Sequence, residues 1–445
     1  MPALSHVAMQ FFLQMFVILA VYRLLWPVFR RLGQVQVVAI MVTGFLLGPS
    51  LLGLLAPSVQ EWLFPQKVAI GGQSVTHPSL VALYITGQLG LVLYMFLVGT
   101  AFNTSIFANH IRHAAVVSFA GIGAPMLLGG VVGWIMVRNG NFFTDKVAGW
   151  QGALFLAAAI AITAFPMLAW IVYDSGLLHT RVGTMALACA AADDAAAWIL
   201  LAGVVAATKG SASIALLAIA GTIFYLVLML TVGKRLLRRM GDYADTRMAR
   251  GEGLPIGALV GAMMVLLVGA WFTDLVGVYA VFGAFLAGVV MPRGQLITVL
   301  RERLEPLTAY LLLPAFFVYS GLNTRLTLLF DPTVLVMLVI VLIISFAGKG
   351  LSVAAAARAQ GMGWREAGSL GALMNARGLM ELILLNIGLN AGIVTPQLYT
   401  ILAVMAIVTT FAATPLHNWI QKRRPATPDT PVAPKAVAVA TAETG

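Results

Sequence analysis

An apolar, alanine-rich run, "ALACAAADDAAAWILLAG" at residues 186–203, carries two adjacent carboxylates, Asp193 and Asp194, at its middle. A carboxylate at the centre of a bilayer costs about 2.5–3.5 kcal/mol on insertion scales. Two side by side repel, so at neutral pH one holds a proton unless a cation sits with them. Neighbours on a helix point about 100° apart, so the two acids need not share a partner. Acids whose charge is balanced by either a proton or a metal cation can exchange one for the other.

Three further groups resist a purely structural explanation. Lys349, in "IISFAGKGLSVAAAA", has glycine on both sides and no acid in its own apolar segment. Snorkelling to the membrane surface means reaching along about eight residues, or about 12 Å of helix, so a buried acid is the better partner. The Asp193–Asp194 pair supplies one. In "AITAFPMLAW" (161–170), Pro166 has no N–H to give the carbonyl of Ile162, and Thr163 offers a hydroxyl at the gap. In "GALMNARGLMELILLNIG" (371–388), Gly371, Asn375, Arg377, Gly378 and Glu381 interrupt an otherwise apolar helix. A lone proline kink is ordinary in a membrane helix. Two breaks in matching places are not. They predict discontinuous helices whose ends meet at mid-membrane, with Arg377 and Glu381 compensating the partial charges there.

Carboxylates, an ammonium, a hydroxyl and free carbonyls form a hard oxygen set that suits a small monovalent cation. The expected ligands for Na+ or K+ are Asp194, Asp193 and Thr163. Cys189 stands alone and the histidines lie toward segment ends, so nothing suits a transition metal and no cofactor is expected beyond the transported ions.

The elements that must hold these groups follow from composition. Of 445 residues, 60% are hydrophobic and only 10% charged, against roughly 25% charged in soluble domains. Repeated apolar runs of about 20 residues predict an all-α polytopic membrane protein. Thirteen segments are expected, near 7–28, 35–55, 79–101, 113–137, 151–173, 182–207, 212–233, 255–274, 277–292, 306–322, 333–357, 366–389 and 397–420. The first apolar stretch lacks a signal peptide's basic start and cleavage site, so it is expected to remain as a span. Nineteen of the 27 basic residues fall on one side of this arrangement and five on the other, which predicts an external N-terminus and a cytoplasmic C-terminus in the cell membrane. The net charge of +11 therefore marks membrane loops and not a nucleic-acid partner. Six segments precede the seventh and six follow it. A linking helix between two six-helix halves would invert the second, and both broken segments are then the fifth of their half.

These residues resemble the monovalent cation/proton antiporter superfamily, most closely its second branch of bacterial electrogenic sodium/proton antiporters, potassium efflux systems and plant cation/proton exchangers. The likeness rests on the "TAFP" break, the "DD" of the next segment, the "GK" of segment 11 and the "MNARGLMELI" break. It extends to "GFLLGPSLLG" (44–53), "LGLVLYMFLVGTAF" (89–102), "GAFLAGVVMP" (283–292) and "PAFFVYSGLNT" (314–324), covering nearly all of 8–420. The resemblance implies a homodimer with a fixed interface domain (1–111 and 255–330), a moving core domain (112–210 and 331–420), and a linking helix with a basic cytoplasmic loop (211–254). Residues 421–445 read as a disordered cytoplasmic tail. It also implies that Asp194 carries ion and proton while Asp193 pairs with Lys349. Electroneutral members typically have Asn in place of the first acid and gated potassium systems Gln, so Asp193 points to the electrogenic class.

The expected function is Na+/H+ antiport by alternating access, with K+/H+ exchange as the alternative. An organic-anion symporter on the same inverted-repeat plan, a cation channel and an intramembrane aspartyl protease are the rivals from other classes. The midplane acids disfavour an anion, no carbonyl-ring filter is apparent, and a protease needs its acids on separate helices.

Overall fold

The computed structural model describes residues 4–422 apart from 33, 35, 71, 72, 102, 103, 178, 179, 210, 211 and 278. The side chains of Pro166 and Asp194 lie outside the described residues, as does the tail beyond 422.

Helices occupy every apolar run because a backbone in lipid must satisfy its own polar groups. α1 (Leu4–Arg31) and α2 (Gln36–Leu47) are followed by two short helices, α3 (Leu52–Leu55) and α4 (Pro57–Leu63). A small antiparallel hairpin, β1 (Lys67–Ile70) with β2 (Gln73–Thr76), pairs Lys67 with Thr76 and leads into α5 (Pro78–Ala101) and α6 (Thr104–Arg138). The first broken pair is α7 (Gly149–Ala161) and α8 (Phe165–Asp174), and α9 (Arg181–Lys209) carries the acids. Next come α10 (Ala212–Leu228), α11 (Lys234–Ala249), α12 (Ile256–Leu275), α13 (Ala280–Val289), α14 (Gln295–Leu307) and α15 (Leu313–Leu322). α16 (Pro332–Ile343) and α17 (Lys349–Ala359) precede the second broken pair, α18 (Trp364–Leu373) and α19 (Leu379–Asn390), and α20 (Pro396–Lys422) closes the order.

A helix or helix pair thus falls at each expected segment. Among the described residues, eight helices are long and apolar enough to cross a membrane unbroken. The half-helices of the two broken pairs, and α13, are too short to do so alone. Three local expectations are corrected. The supposed loop at 233–253 is helical to Ala249, because a π turn (Met229–Gly233) joins α10 to α11 without a break. The segment placed at 306–322 starts earlier, as the amphipathic α14 runs through a π turn (Thr308–Leu312) into α15. The first broken segment is discontinuous as expected, but Pro166 is not what breaks it. It sits in the first turn of α8, where no intrahelical N–H is needed, and the chain has already left helix at Ile162, whose φ of −69° and ψ of 136° are extended.

One large apolar cluster joins α6–α9 to α16–α20 and also takes in buried residues of α1, α2, α5, α13 and α15. A second ties α5 to α10–α14, and a third packs α1, α2, α4, α5 and α15 together. Small residues decide how closely the helices around the site approach. A Cβ on Gly371 of α18 would collide with the backbone carbonyl of Gly350 on α17, and one on Gly350 would come within 3.0 Å of Asn375 Nδ2. The glycine beside Lys349 therefore brings α17 against the second break.

Overpacking a tight contact costs typically about 1–3 kcal/mol, and here the obstacle is backbone. Gly371→Val is expected to lower the melting temperature of the detergent-solubilised protein by several degrees. Gly257→Ala, at an open position on α12, should leave it within about 1 °C.

Candidate functional site

The two interruptions cross. Residues 162–164 separate α7 from α8, residues 374–378 separate α18 from α19, and the Ala164 N–H donates to the Ala376 carbonyl across the crossing (3.2 Å). A helix that stops inside a membrane leaves its last carbonyls without partners and concentrates partial negative charge there. At the end of α7 the Ala158 carbonyl accepts from the Ile162 N–H, and side-chain cations serve the rest. Arg377 donates through one amino group to Ala159 O (2.8 Å) and Ile162 O (3.4 Å), and through the other to Ile160 O. Lys349 Nζ donates to Ala161 O.

Lys349 also reaches Asp193 Oδ2 at 3.0 Å, with both side chains fully buried. The same oxygen accepts the Thr163 hydroxyl at 2.7 Å, and that hydroxyl lies 3.1 Å from the Met374 carbonyl. One carboxylate oxygen thus gathers α9, the gap after α7, and the start of α17. Its twin, Asp193 Oδ1, is buried without a hydrogen-bond partner among the described residues. The π turn Ile344–Gly348 ends just before Lys349 and resets the helical phase at that residue. On α9, Ser118 of α6 anchors the Cys189 carbonyl (2.9 Å) one turn before Asp193.

Arg377 and Glu381 form a second buried pair at 3.6 Å. Glu381 stands in the first turn of α19, where a carboxylate offsets the positive helix end. Both its oxygens are without a hydrogen-bond partner among the described residues. Asn375 Nδ2 folds back onto Gly371 O (2.8 Å), and its Oδ1 is unpartnered among the described residues. Gly378 is the N-cap of α19, and a Cβ there would press on Met167 of α8 at 3.2 Å.

The expected residues therefore form two adjoining groups: Asp193, Lys349 and Thr163, and Arg377 with Glu381 at the crossing, with Asn375 and Gly378 in the second break. Asp194 and Pro166 are placed by backbone only. Ile162 O is not left bare by Pro166, as expected above, but accepts from Arg377. His417 lies toward the end of α20 as expected, and is buried there against the Ser369 hydroxyl.

Sequence reasoning passed over several contributors. Thr410 of α20 accepts the Arg377 N–H (2.9 Å) and donates toward the Arg377 carbonyl (2.8 Å). A buried seam joins α15 to α19 and α20: Asn386 Nδ2 donates to Ser320 Oγ (2.9 Å), and the Tyr399 hydroxyl lies 3.1 Å from Ser320 O and 3.3 Å from Asn386 Oδ1. Asn386 was visible as a lone amide in an apolar run. Nothing in the sequence marked Tyr399 or the carbonyls of Ala161 and Met374.

The family described as sodium/hydrogen exchanger, transmembrane, matches residues 16–420. The Na(+)/H(+) antiporter NhaS4 of Synechocystis is 36% identical over 90% of this chain and 94% of its own. Cation/H(+) antiporter 19 of Arabidopsis thaliana is 32% identical over 92% of this chain, and K(+)/H(+) antiporter 1 of Saccharomyces cerevisiae 29% over 92%. This chain spans about half the length of those two, 49% and 46%. The solved structure of the sodium proton antiporter MjNhaP1 from Methanocaldococcus jannaschii superposes with a TM-score of 0.63, covering 93% of this chain and all of the other at 15% identity. That likeness is one of fold.

Removing one partner of a buried ion pair costs about 3–5 kcal/mol, whereas removing both charges costs less. Glu381→Gln alone leaves Arg377 with its carbonyl partners and should be mild. Arg377→Gln uncovers the end of α7 and leaves Glu381 uncompensated, and should be severe. The double variant should regain part of the loss in thermal unfolding. Equal loss from the two single variants would show that the carbonyl contacts are not what Arg377 provides.

Proposed function

The chain belongs to the sodium/hydrogen exchanger family of cation/proton antiporters, and from that membership we propose that it is a secondary active transporter exchanging Na+ for protons electrogenically across the cell membrane. The observation that carries the reading is the buried Lys349–Asp193–Thr163 linkage at the crossing of two broken helices. One oxygen of Asp193 is left unpartnered there, and Asp194 is next in the chain.

Asp194 is the principal carrier in this scheme. Facing the more acidic outside, it takes a proton, a second proton goes to Asp193 or Lys349, and the cation leaves. Facing the cytoplasm the protons depart and Na+ binds the carboxylates, with the Thr163 hydroxyl and backbone carbonyls completing its oxygen shell. The doubly deprotonated empty site is costly to carry through lipid, so only loaded states cross and leakage stays low. Two protons inward for one Na+ outward moves one net positive charge in, worth roughly 2.3 kcal/mol per 100 mV. The membrane potential then drives extrusion without a pH gradient.

The moving body in this reading is the core (112–210 with 331–420), sliding on a scaffold (1–111 with 255–330) that also forms the homodimer contact. The rod of α10 and α11 links the two halves. The basic ends of α1 and α11 lie in the cytoplasm with the C-terminus, following the charge asymmetry. The ion pairs and hydrogen bonds that tie α7, α9, α17 and α19 at the crossing support treating these helices as one body. The seam of Ser320, Asn386 and Tyr399 closes the outer side of its boundary with α15.

Proteoliposomes test the scheme with Na+, K+ and Li+ in parallel, the voltage clamped by an ionophore. Asp194→Asn should abolish pH-gradient-driven exchange. For the unmodified protein the apparent Km for Na+ should rise as pH falls, by up to about tenfold per pH unit for each competing proton. A Km indifferent to pH would remove competition as the coupling mechanism, and preference for K+ in the same assay would replace Na+ as the substrate. Lys349→Gln should eliminate the transient current on a solid-supported membrane. An unchanged current would reduce the lysine to a cap for α7.

A further inference from the structure

We propose that the recess between α1 and the π turn Thr308–Leu312 binds the phosphate headgroup of an anionic phospholipid. The recess encloses about 690 Å³, within the roughly 300–1,000 Å³ usual for small-ligand sites. Its charged lining is all cationic and all arginine: Arg23, Arg30 and Arg31. These lie on exposed positions of α1, and none makes an ion pair among the described residues. Glu305, the acid nearest Tyr310 in sequence, is held instead by Arg301 at 3.7 Å. Guanidinium groups take phosphate oxygens two at a time, which lysine cannot do.

The remaining walls are those of an interfacial site. Tyr22 and Trp26 come from α1 and Tyr310 from the π turn. Such rings sit where headgroups meet acyl chains. An ordinary aromatic girdle lies along a convex surface. Here the rings line a recess: Pro27 lies among them and has no N–H for the Arg23 carbonyl one turn back. Arg23 and Arg30 are seven residues apart and so share a face. Continuing that face toward the N-terminus reaches Phe16 and Phe12, both 68% exposed. An acyl chain has a stripe to follow out of the recess, and a free phosphate does not. This continuity favours a lipid over a soluble anion. Assigning the site to the cytoplasmic leaflet rests on the orientation proposed above. The binding itself does not, and it is read without any transport measurement.

The test uses the full-length protein in detergent with dioctanoyl phosphatidylglycerol, dioctanoyl phosphatidylcholine and inorganic phosphate as separate probes, read by native mass spectrometry and thermal shift. Phosphatidylglycerol is expected to bind and stabilise, phosphatidylcholine much less, and inorganic phosphate not at all. The triple variant R23Q/R30Q/R31Q should weaken phosphatidylglycerol binding by at least about tenfold. A control with the same loss of charge on exposed positions of α11, R235Q/R238Q/R239Q, should leave it unchanged. Trp26→Leu keeps every charge and should reproduce part of the loss. Equal weakening in the α11 control, equal binding of the two lipids, or displacement of phosphatidylglycerol by inorganic phosphate would each overturn the assignment.

Discussion

The carbonyl end of α7, stranded in the middle of the protein, is the constraint around which the rest is arranged. An unmet peptide oxygen in a low-dielectric interior costs several kcal/mol. Two cations from distant parts of the chain meet the need: Arg377 covers the carbonyls of residues 159, 160 and 162, and Lys349 covers that of 161. Cations so deep in an apolar cluster require anions in turn, and Asp193 and Glu381 supply them. Discontinuous helices, buried bases and buried acids are therefore one connected solution. Removing a cation leaves carbonyls and an acid that lipid cannot solvate, whereas a cation that loses its acid keeps the helix end.

This arrangement bears directly on chemistry. With all four groups ionised, Arg377, Lys349, Asp193 and Glu381 sum to zero. The formal charge of the site is then set by Asp194 and whatever it holds. In the proposed scheme a proton or a monovalent cation there would change the total by the same unit, which would be the electrostatic basis for one replacing the other. Lys349 adds a second control, because its ammonium is shared between a backbone oxygen and a carboxylate. Weakening the pair with Asp193 does not leave the lysine bare, since the helix end continues to hold it.

Most of this was legible in the sequence because the membrane makes polar residues conspicuous. Asp193, Lys349, Thr163, Arg377 and Glu381 stood out as uncompensated charges or hydrogen-bonding groups in apolar runs, and the structure gathers them at one crossing. What escaped were contributions that carry no side-chain signal. The carbonyls of Ala161 and Met374 belong to ordinary apolar residues and matter only because the chain leaves helical geometry beside them. Pro166 marked a break that is present but does not cause it, since it opens a new half-helix after the chain has already turned at Ile162. The continuation of α10 into α11 was missed because charge density suggested a loop, whereas basic residues propagate a helix well once it emerges from lipid. Tyr399 was hidden by being aromatic, a type that membrane helices use freely.

The strengths of these contacts also decide where the molecule can divide. The crossing is held by charge-assisted bonds whose disruption costs about 3–5 kcal/mol per buried charge. The seam between α15 and the α19–α20 pair is held by neutral hydrogen bonds among Ser320, Asn386 and Tyr399, each worth net about 0.5–1.5 kcal/mol. Any motion that changes which side the acids face must separate some helices from others. A plane through the crossing would expose two bases and two acids together, while a plane through the seam exposes an amide and two hydroxyls. In the proposed scheme the division would therefore follow the seam and leave the crossing whole, with the acids travelling with α7, α9, α17 and α18.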